Sequence, residues 1–318
     1  MAVRVLVTGG CGFIGSHIVD ALLSRGYVVG ALDNLSTGDR TNLGAHWPNG
    51  GGFTLHERDI RDYDAVEKVV KSYDAVIHEA ALVSVSRSVE DPLTVNAVNV
   101  DGTLNLLRAS VKAGVKRFVY ASSSSVYGES ETLPKKETMV TVPVSPYGAS
   151  KLAAENYCRV FAKVYGLHTV SLRYFNVYGP RQKSGFYSGV IPIFIKRALE
   201  GKPPQVYGDG EQTRDFTYVE DVVNANLLAL ENDLPKGEVF NIAAGDQISI
   251  NRLASIILSM LGRDDLKPEH LDHRPGDIRR SYADVTKARE VLGYAPEHTI
   301  EDGVRRVVDW ALPNSVDP

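Results

Sequence analysis

Cysteine is scarce: Cys11 and Cys158 are the only two in 318 residues. One pair cannot build a disulfide framework, so a reducing compartment is expected. Long apolar runs are missing as well. The chain opens "MAVRVLVTGG", where a short apolar run passes straight into glycines and leaves no room for the core of a signal peptide. No uninterrupted apolar stretch reaches membrane-spanning length, and a soluble cytoplasmic protein is expected. There is no basic excess: 35 Lys and Arg stand against 39 Asp and Glu, a net charge of -4. That balance argues against a nucleic acid or a membrane surface as partner. His270 and His273 stand three apart in a charged stretch without further ligand spacing, so no catalytic metal is expected. Internal repeats and low-complexity linkers are also lacking.

What is present is an ordinary globular composition, 43% hydrophobic and 23% charged, in a chain long enough for one large domain and a smaller one. Short β-branched runs at 3–7, 27–32, 53–57, 74–78, 116–121 and 168–174 read as strands. Amphipathic segments at 13–25, 62–72, 92–113 and 147–165 read as helices between them. This alternation predicts an α/β fold, a doubly wound parallel sheet of the Rossmann type covered on both faces. After about residue 178 glycine and proline punctuate the chain, and helices at 190–200, 219–231, 249–261 and 300–311 predict a smaller mixed α/β domain. The expected division is 1–178 for dinucleotide and 179–318 for substrate, with 216–245 a stretch that could return to the first.

In "VLVTGGCGFIGSH", Gly9, Gly12 and Gly15 lie between the first strand and first helix. Glycines there let the backbone approach a pyrophosphate and aim helix N-terminal amides at it. Asp33 follows the second strand, 18 positions after Gly15, near the spacing of a carboxylate that receives ribose hydroxyls. Its charge would repel a 2′-phosphate, which favours NAD over NADP. A turn residue in "DNLSTG" is the other reading of Asp33. Asp59 and Ile60, directly after the third strand, suit contact with an adenine, and Asp59 equally suits a helix cap.

"SPYGASK" places Tyr147 and Lys151 four apart after a proline, on one face of a helix about 6 Å apart. The ammonium can then act on the phenol; from those two residues alone, a solvated lysine beside a half-buried tyrosine is the better reading. "YASSSSVYG" follows the fifth strand, so its hydroxyls emerge at the carboxyl edge where doubly wound sheets bind ligands.

Together these motifs resemble the extended short-chain dehydrogenase/reductase family, and within it the nucleoside-diphosphate-sugar 4-epimerases. "TGGCGFIGSH", "DNLSTG", "HEAAL", "NVDGT", "SSSSVYG", "SPYGASK", "LRYFNVYGPRQ", "GDGEQTRDF" and "GDIRRSYADVTKA" occur in family order over essentially the whole chain. The resemblance implies Ser123, Tyr147 and Lys151 as catalytic groups and bound NAD as cofactor. Phe13, Ile14, Asn34, Ala80, Asn99 and Tyr174 are implied around the cofactor. For a UDP-sugar it implies Ser84, Ser123, Asn176, Gly189, Val190, Tyr207, Arg214, Arg274, Asp277 and Ser281. The two arginines suit a diphosphate, because guanidinium forks match phosphate oxygens.

The implied reaction oxidises the sugar at C4, turns the ketone and returns the hydride to its other face. Related dehydratases carry an Asp-Glu pair after the catalytic hydroxyl; here Ser124 and Ser125 stand there, so elimination lacks its acid and base. Uronate epimerases and decarboxylases remain alternatives, as does, from another class, a non-catalytic NAD-binding sensor. Ser281 falls where glucose-restricted epimerases carry a tyrosine, and with Gly189 it leaves room for an acetamido group. UDP-GlcNAc and UDP-GalNAc are therefore the expected pair, with UDP-Glc and UDP-Gal also turned over. Two departures weaken a strictly glucose-specific reading: Val83 replaces a lysine and Glu79 an aromatic. The resemblance also implies a homodimer through helices 92–113 and 147–165, with Leu104, Leu107 and Val111 fitting either that interface or the sheet.

Overall fold

The computed structural model describes residues 3–46, 50–183, 189–273 and 279–314. Seven parallel strands form the central sheet: β1 (Arg4–Thr8), β2 (Val28–Asp33), β3 (Phe53–Glu57), β4 (Ala75–His78), β5 (Arg117–Ser123), β6 (Thr169–Tyr174) and β7 (Glu238–Ile242). Their order across the sheet is β7-β6-β5-β4-β1-β2-β3. Successive strands are therefore added in opposite directions on either side of the β1–β4 boundary, and a crevice opens there at the carboxyl ends of the strands.

Each central strand is apolar on both sides because both faces are covered. Val5 and Val7 enter one core together with Val119, while Leu6 enters the other with Val76 and Phe118. Helices α1 (Phe13–Ser24), α2 (Tyr63–Val70), α3 (Gly102–Ala113) and α4 (Pro146–Tyr165) follow their strands. Helices α5 (Val190–Leu199), α6 (Val219–Glu231), α7 (Ile250–Met260) and α8 (Ile300–Asn314) come later. α6 packs on α1, and its chain then enters the sheet as β7, beside β6 in register from Glu238 opposite Val170 to Ile242 opposite Tyr174. Ile191, Phe194 and Leu253 join the same core as Val5, so the smaller part of the chain shares one hydrophobic face with the sheet.

Three local expectations are refined. The helix expected over 92–113 forms but is not uniform: Pro92–Asn96 widens into a π-turn at Ala97–Asp101 and continues as α3. Within that turn the Asn99 amide accepts from Leu82 N at 2.8 Å and donates to Leu82 O at 3.1 Å and to Ser150 Oγ at 3.0 Å. The cap of α2 is Asp62, whose carboxylate accepts from Ala65 N, so Asp59 is not that helix's cap. Leu107 is fully buried among Leu6, Phe118 and Val70, and Val111 packs against that cluster, so this face of α3 serves the sheet side. None of the described helices is long and apolar enough to cross a membrane.

Candidate active site

The glycine loop closes on itself so tightly that side chains are excluded. A Cβ on Gly15 would lie 2.1 Å from Gly9 O, and one on Gly9, whose φ is +69°, would lie 2.8 Å from Ala80 N. Gly12 precedes α1 without a capping side chain, so the amides of the first helical turn are left for a ligand. Gly9, Gly12, Phe13, Ile14 and Gly15 all face a cleft of about 430 Å³.

Along the same cleft stand Asp33, Asn34, Asp59 and Ile60, at the carboxyl ends of β2 and β3. Asp33 is buried and accepts from Cys11 N at 2.9 Å and Leu35 N at 2.8 Å. Burial raises its carboxyl above the ordinary range while the two amides pull it down. Asp59 is held by Asn34 Nδ2 at 2.9 Å and by the Arg61 guanidinium at 2.7 Å, which keep its carboxyl well below the usual range. An uncapped helix start and a buried acid after β2 fit the pyrophosphate and ribose of NAD.

The chemistry-bearing residues line the opposite wall. Ser123 ends β5, in register with Tyr174 at the end of β6. Ser145 caps α4 by accepting from Gly148 N at 3.1 Å, and Pro146 occupies the first turn, which fixes where the helix starts. Tyr147 and Lys151 then fall one turn apart on the cleft side, and both are buried. Burial raises the Tyr147 phenol above its ordinary value, the nearby Ser123 hydroxyl opposes that shift, and the carboxylate of Glu79 adds to it. Lys151 Nζ donates to Ala121 O at 2.9 Å, so its bond is to the end of β5. Burial lowers the Lys151 ammonium below its usual range, and Glu79 opposes that shift. At rest, therefore, Tyr147 is a phenol; a free tyrosine is already about 4 kcal/mol short of phenolate at neutral pH.

Ala80, Tyr174, Asn176 and Gly189 also face this cleft. Asn99 does not; it stands behind, holding Leu82, which does. A second cleft of about 280 Å³ shares Asn176, Val177, Gln182 and Gly189 with the first and adds Val190, Tyr207 and Arg214. Tyr207 is exposed and so is not a core aromatic. Asn176 has φ +32° and donates from Nδ2 to Asp215 O at 2.8 Å. The Asp215 carboxylate accepts from the amides of Ala244, Gly245 and Ala283, joining three segments beneath Arg214; burial pushes this carboxyl up to about 7.

Ser84 and Ser281 face neither cleft. Ser84 caps the short helix Val85–Glu90 by accepting from Arg87 N, and Ser281 pairs in register with Arg214. Arg274 and Asp277 lie outside the described residues.

Some site residues were missed from sequence. Gln182 joins the two clefts, donates to Val177 O at 3.2 Å and has a buried Oε1 without a partner. Its signal was available in "GPRQ", beside the aligned Asn176. Leu82 also lines the wall, but nothing in its apolar type distinguishes it from core.

Residues 5–243 match the model of the NAD dependent epimerase/dehydratase family. A relative described as a putative UDP-glucose 4-epimerase, from Methanocaldococcus jannaschii, is 43% identical over 98% of this chain and 99% of its own. The crystal structure of UDP-glucose 4-epimerase with UDP-glucose from Thermotoga maritima superposes with TM-score 0.92 at 41% identity, covering 98% of this chain and 99% of that one. A UDP-N-acetylglucosamine 4-epimerase from Methanobrevibacter ruminantium M1, in complex with UDP-N-acetylmuramic acid, gives 0.93 at 44%, covering 99% and 100%. With this match and a glycine loop shaped for the cofactor, the chain belongs to the NAD-dependent epimerase/dehydratase family.

Proposed function

We propose that the protein epimerises UDP-hexoses at C4, interconverting UDP-GlcNAc with UDP-GalNAc and UDP-Glc with UDP-Gal. The observation that carries this reading is the convergence of Ser123, Tyr147 and Lys151 on one wall of a cleft that begins at the glycine loop. NAD held by the glycine loop and Asp33 would supply a hydride acceptor for C4 and the donor for its return, which keeps the reaction redox-neutral. Tyr147 first loses its phenol proton to solvent; the phenolate then receives the C4 hydroxyl proton and returns it to the alkoxide at the inverted centre, while Ser123 shares the hydrogen bond of the reacting oxygen. The Lys151 ammonium lowers the cost of the phenolate that forms.

Asn176, Gly189, Val190, Tyr207 and Arg214 line the adjoining cleft and suit a nucleoside diphosphate, with the guanidinium toward phosphate. Arg274, Asp277 and Ser84 complete the proposed set from sequence. Ser124 and Ser125 face the first cleft where a dehydratase would need carboxyl groups, which favours epimerisation over elimination. The small Gly189 on the cleft wall supports acceptance of an acetamido group; Ser281, which lines neither cleft, bears on it only through its register partner Arg214.

A homodimer is part of the proposal. Leu93 is 82% exposed, and Tyr157, Val160 and Val164 are exposed along α4, an apolar surface suited to a second copy.

The test is proton NMR of the purified protein incubated separately with UDP-GlcNAc, UDP-Glc and UDP-glucuronate, without added cofactor. Epimerisation of the first two is expected. Turnover of UDP-Glc alone would remove the acetamido argument, and turnover of UDP-glucuronate alone would overturn the substrate assignment. Tyr147→Phe should lower the rate about 10²- to 10⁴-fold.

A further inference from the structure

Glu79 directly follows β4, and its side chain faces the same cleft as Ser123, Tyr147 and Lys151. It is braced from the far side. Tyr174 donates its phenol hydrogen to Glu79 Oε1 at 2.7 Å. The Tyr174 oxygen accepts from Asn226 Nδ2 at 2.7 Å, and the same amide nitrogen donates to Val222 O at 2.9 Å within α6. Both Tyr174 and Asn226 are buried, so turning the carboxylate away would strand a phenol without its partner. The backbone is equally fixed, because the peptide joining Glu79 to Ala80 packs against Gly9.

Among the described residues, this carboxylate interacts with one cation, Lys151, and three phenols, Tyr120, Tyr147 and Tyr174; burial raises it to about 7, and the Tyr174 hydrogen bond and the Lys151 charge pull it back down. Among the described residues, Lys151 has the Tyr120 ring centroid 5.3 Å from Nζ, disfavours a charged His78, and feels the charges of Glu79 and the Cys158 thiol. Burial holds that thiol protonated and uncharged at neutral pH. The hydrogen bond from Lys151 Nζ to Ala121 O is to a neutral acceptor. A dry site on its own drives a lysine toward the neutral amine, and a nearby carboxylate opposes this.

We propose that Glu79 is a positioning residue whose braced carboxylate is the counter-charge that delays loss of the Lys151 proton as pH rises above neutral. This deepens the proposed function and rests on its assignment of Tyr147 and Lys151. The same charge disfavours a Tyr147 phenolate at rest, so lysine and tyrosine both wait in their protonated forms. The aromatic that the motif comparison places here in glucose-specific enzymes carries no such charge.

The test is carbon-13 NMR of lysine Cε in the NAD-loaded protein, with the Lys151 resonance assigned by its loss in Lys151→Arg. Its titration midpoint should fall by about one pH unit, tenfold in the protonation equilibrium, in Glu79→Gln. Tyr174→Phe should shift it in the same direction by less, because the carboxylate loses the bond that favours its charged form. It also keeps the idea testable if Glu79→Gln does not fold. The alkaline limb of the rate profile should move down with the midpoint. An unchanged or higher midpoint in both variants overturns the proposal. Because this readout needs no turnover, inactivity toward every UDP-sugar would sink the proposed function and leave the inference about Glu79 to stand or fall separately.

Discussion

Arg173 on β6 and Glu155 on α4 meet at two points, 2.9 Å from Nε to Oε2 and 2.6 Å from a terminal nitrogen to Oε1, with both side chains buried. Glu155 lies one turn beyond Lys151 and two beyond Tyr147, and also accepts from Ser122 Oγ at 2.7 Å. The pair thus ties the catalytic helix to the strand ends that carry Ser122 and Tyr174. Arg173→Met leaves a buried carboxylate uncompensated, which costs about 3–5 kcal/mol. Urea unfolding should show that loss, and Arg173→Met combined with Glu155→Leu should recover most of it. Equal stability of the single and double variants would remove the pair from this role.

Gly15→Ala tests the loop. The added carbon would sit 2.1 Å from Gly9 O, so the turn must open and its amides lose their aim. NAD affinity should drop at least about tenfold, roughly 1.4 kcal/mol, with the melting profile of the cofactor-free protein little changed. Titration calorimetry with NAD reads this directly, and retained affinity would show that the loop tolerates a side chain.

His78 is buried at the end of β4 between Thr8 Oγ1, 2.6 Å from Nδ1, and Thr103 Oγ1, 2.8 Å from Nε2. Thr103 donates its own hydrogen to Asn99 O at 2.7 Å, so it accepts from Nε2–H and leaves Nδ1 to accept from Thr8. Burial lowers the imidazole to about 3, against 6.5 for the unperturbed group. A folded pKa below the unfolded one gives stability that is present above the unfolded value and lost as pH falls through the folded value. Unfolding free energy should therefore decline from about pH 6.5 toward 3, with this group contributing a slope near 1.4 kcal/mol per pH unit. His17, His56 and His168 are lowered too, so the difference in slope isolates His78. His78→Leu should be less stable at pH 7.5 yet fall off less steeply in acid; parallel curves would contradict the neutral-histidine account.

Ser281→Tyr adds bulk beside Arg214, its register partner on the edge of the second cleft. UDP-GlcNAc turnover should fall about 10²-fold while UDP-Glc turnover stays within a few-fold. Equal losses on both substrates would mean that the position governs folding of the strand rather than the sugar pocket.

The sheet was legible because each strand is apolar on both faces and bounded by turn residues. β7 was not: "EVFNI" is short, follows a helix and a turn, and pairs with a strand more than sixty positions earlier. Asp33, Tyr147 and Lys151 could be read from spacing, since loop and helix geometry fix where such residues point. The π-turn at Ala97–Asp101 could not, because it answers to the Asn99–Leu82 contact, which no local periodicity records. Glu79 stood out only as a departure from pattern; its partners Tyr174 and Asn226 come from distant β6 and α6.

The late arrival of β7 bears on how the protein is made. All the residues lining the first cleft are synthesised by Gly189, yet the sheet lacks its last strand until Glu238–Ile242 has left the ribosome. Until then β6 presents an open edge of unpaired amides and carbonyls, the kind of surface that recruits stray strands. A gene cut at residue 178 would encode that unfinished edge permanently. Residues 1–178 and the later part of the chain are therefore bound to each other, since separating them reopens the sheet.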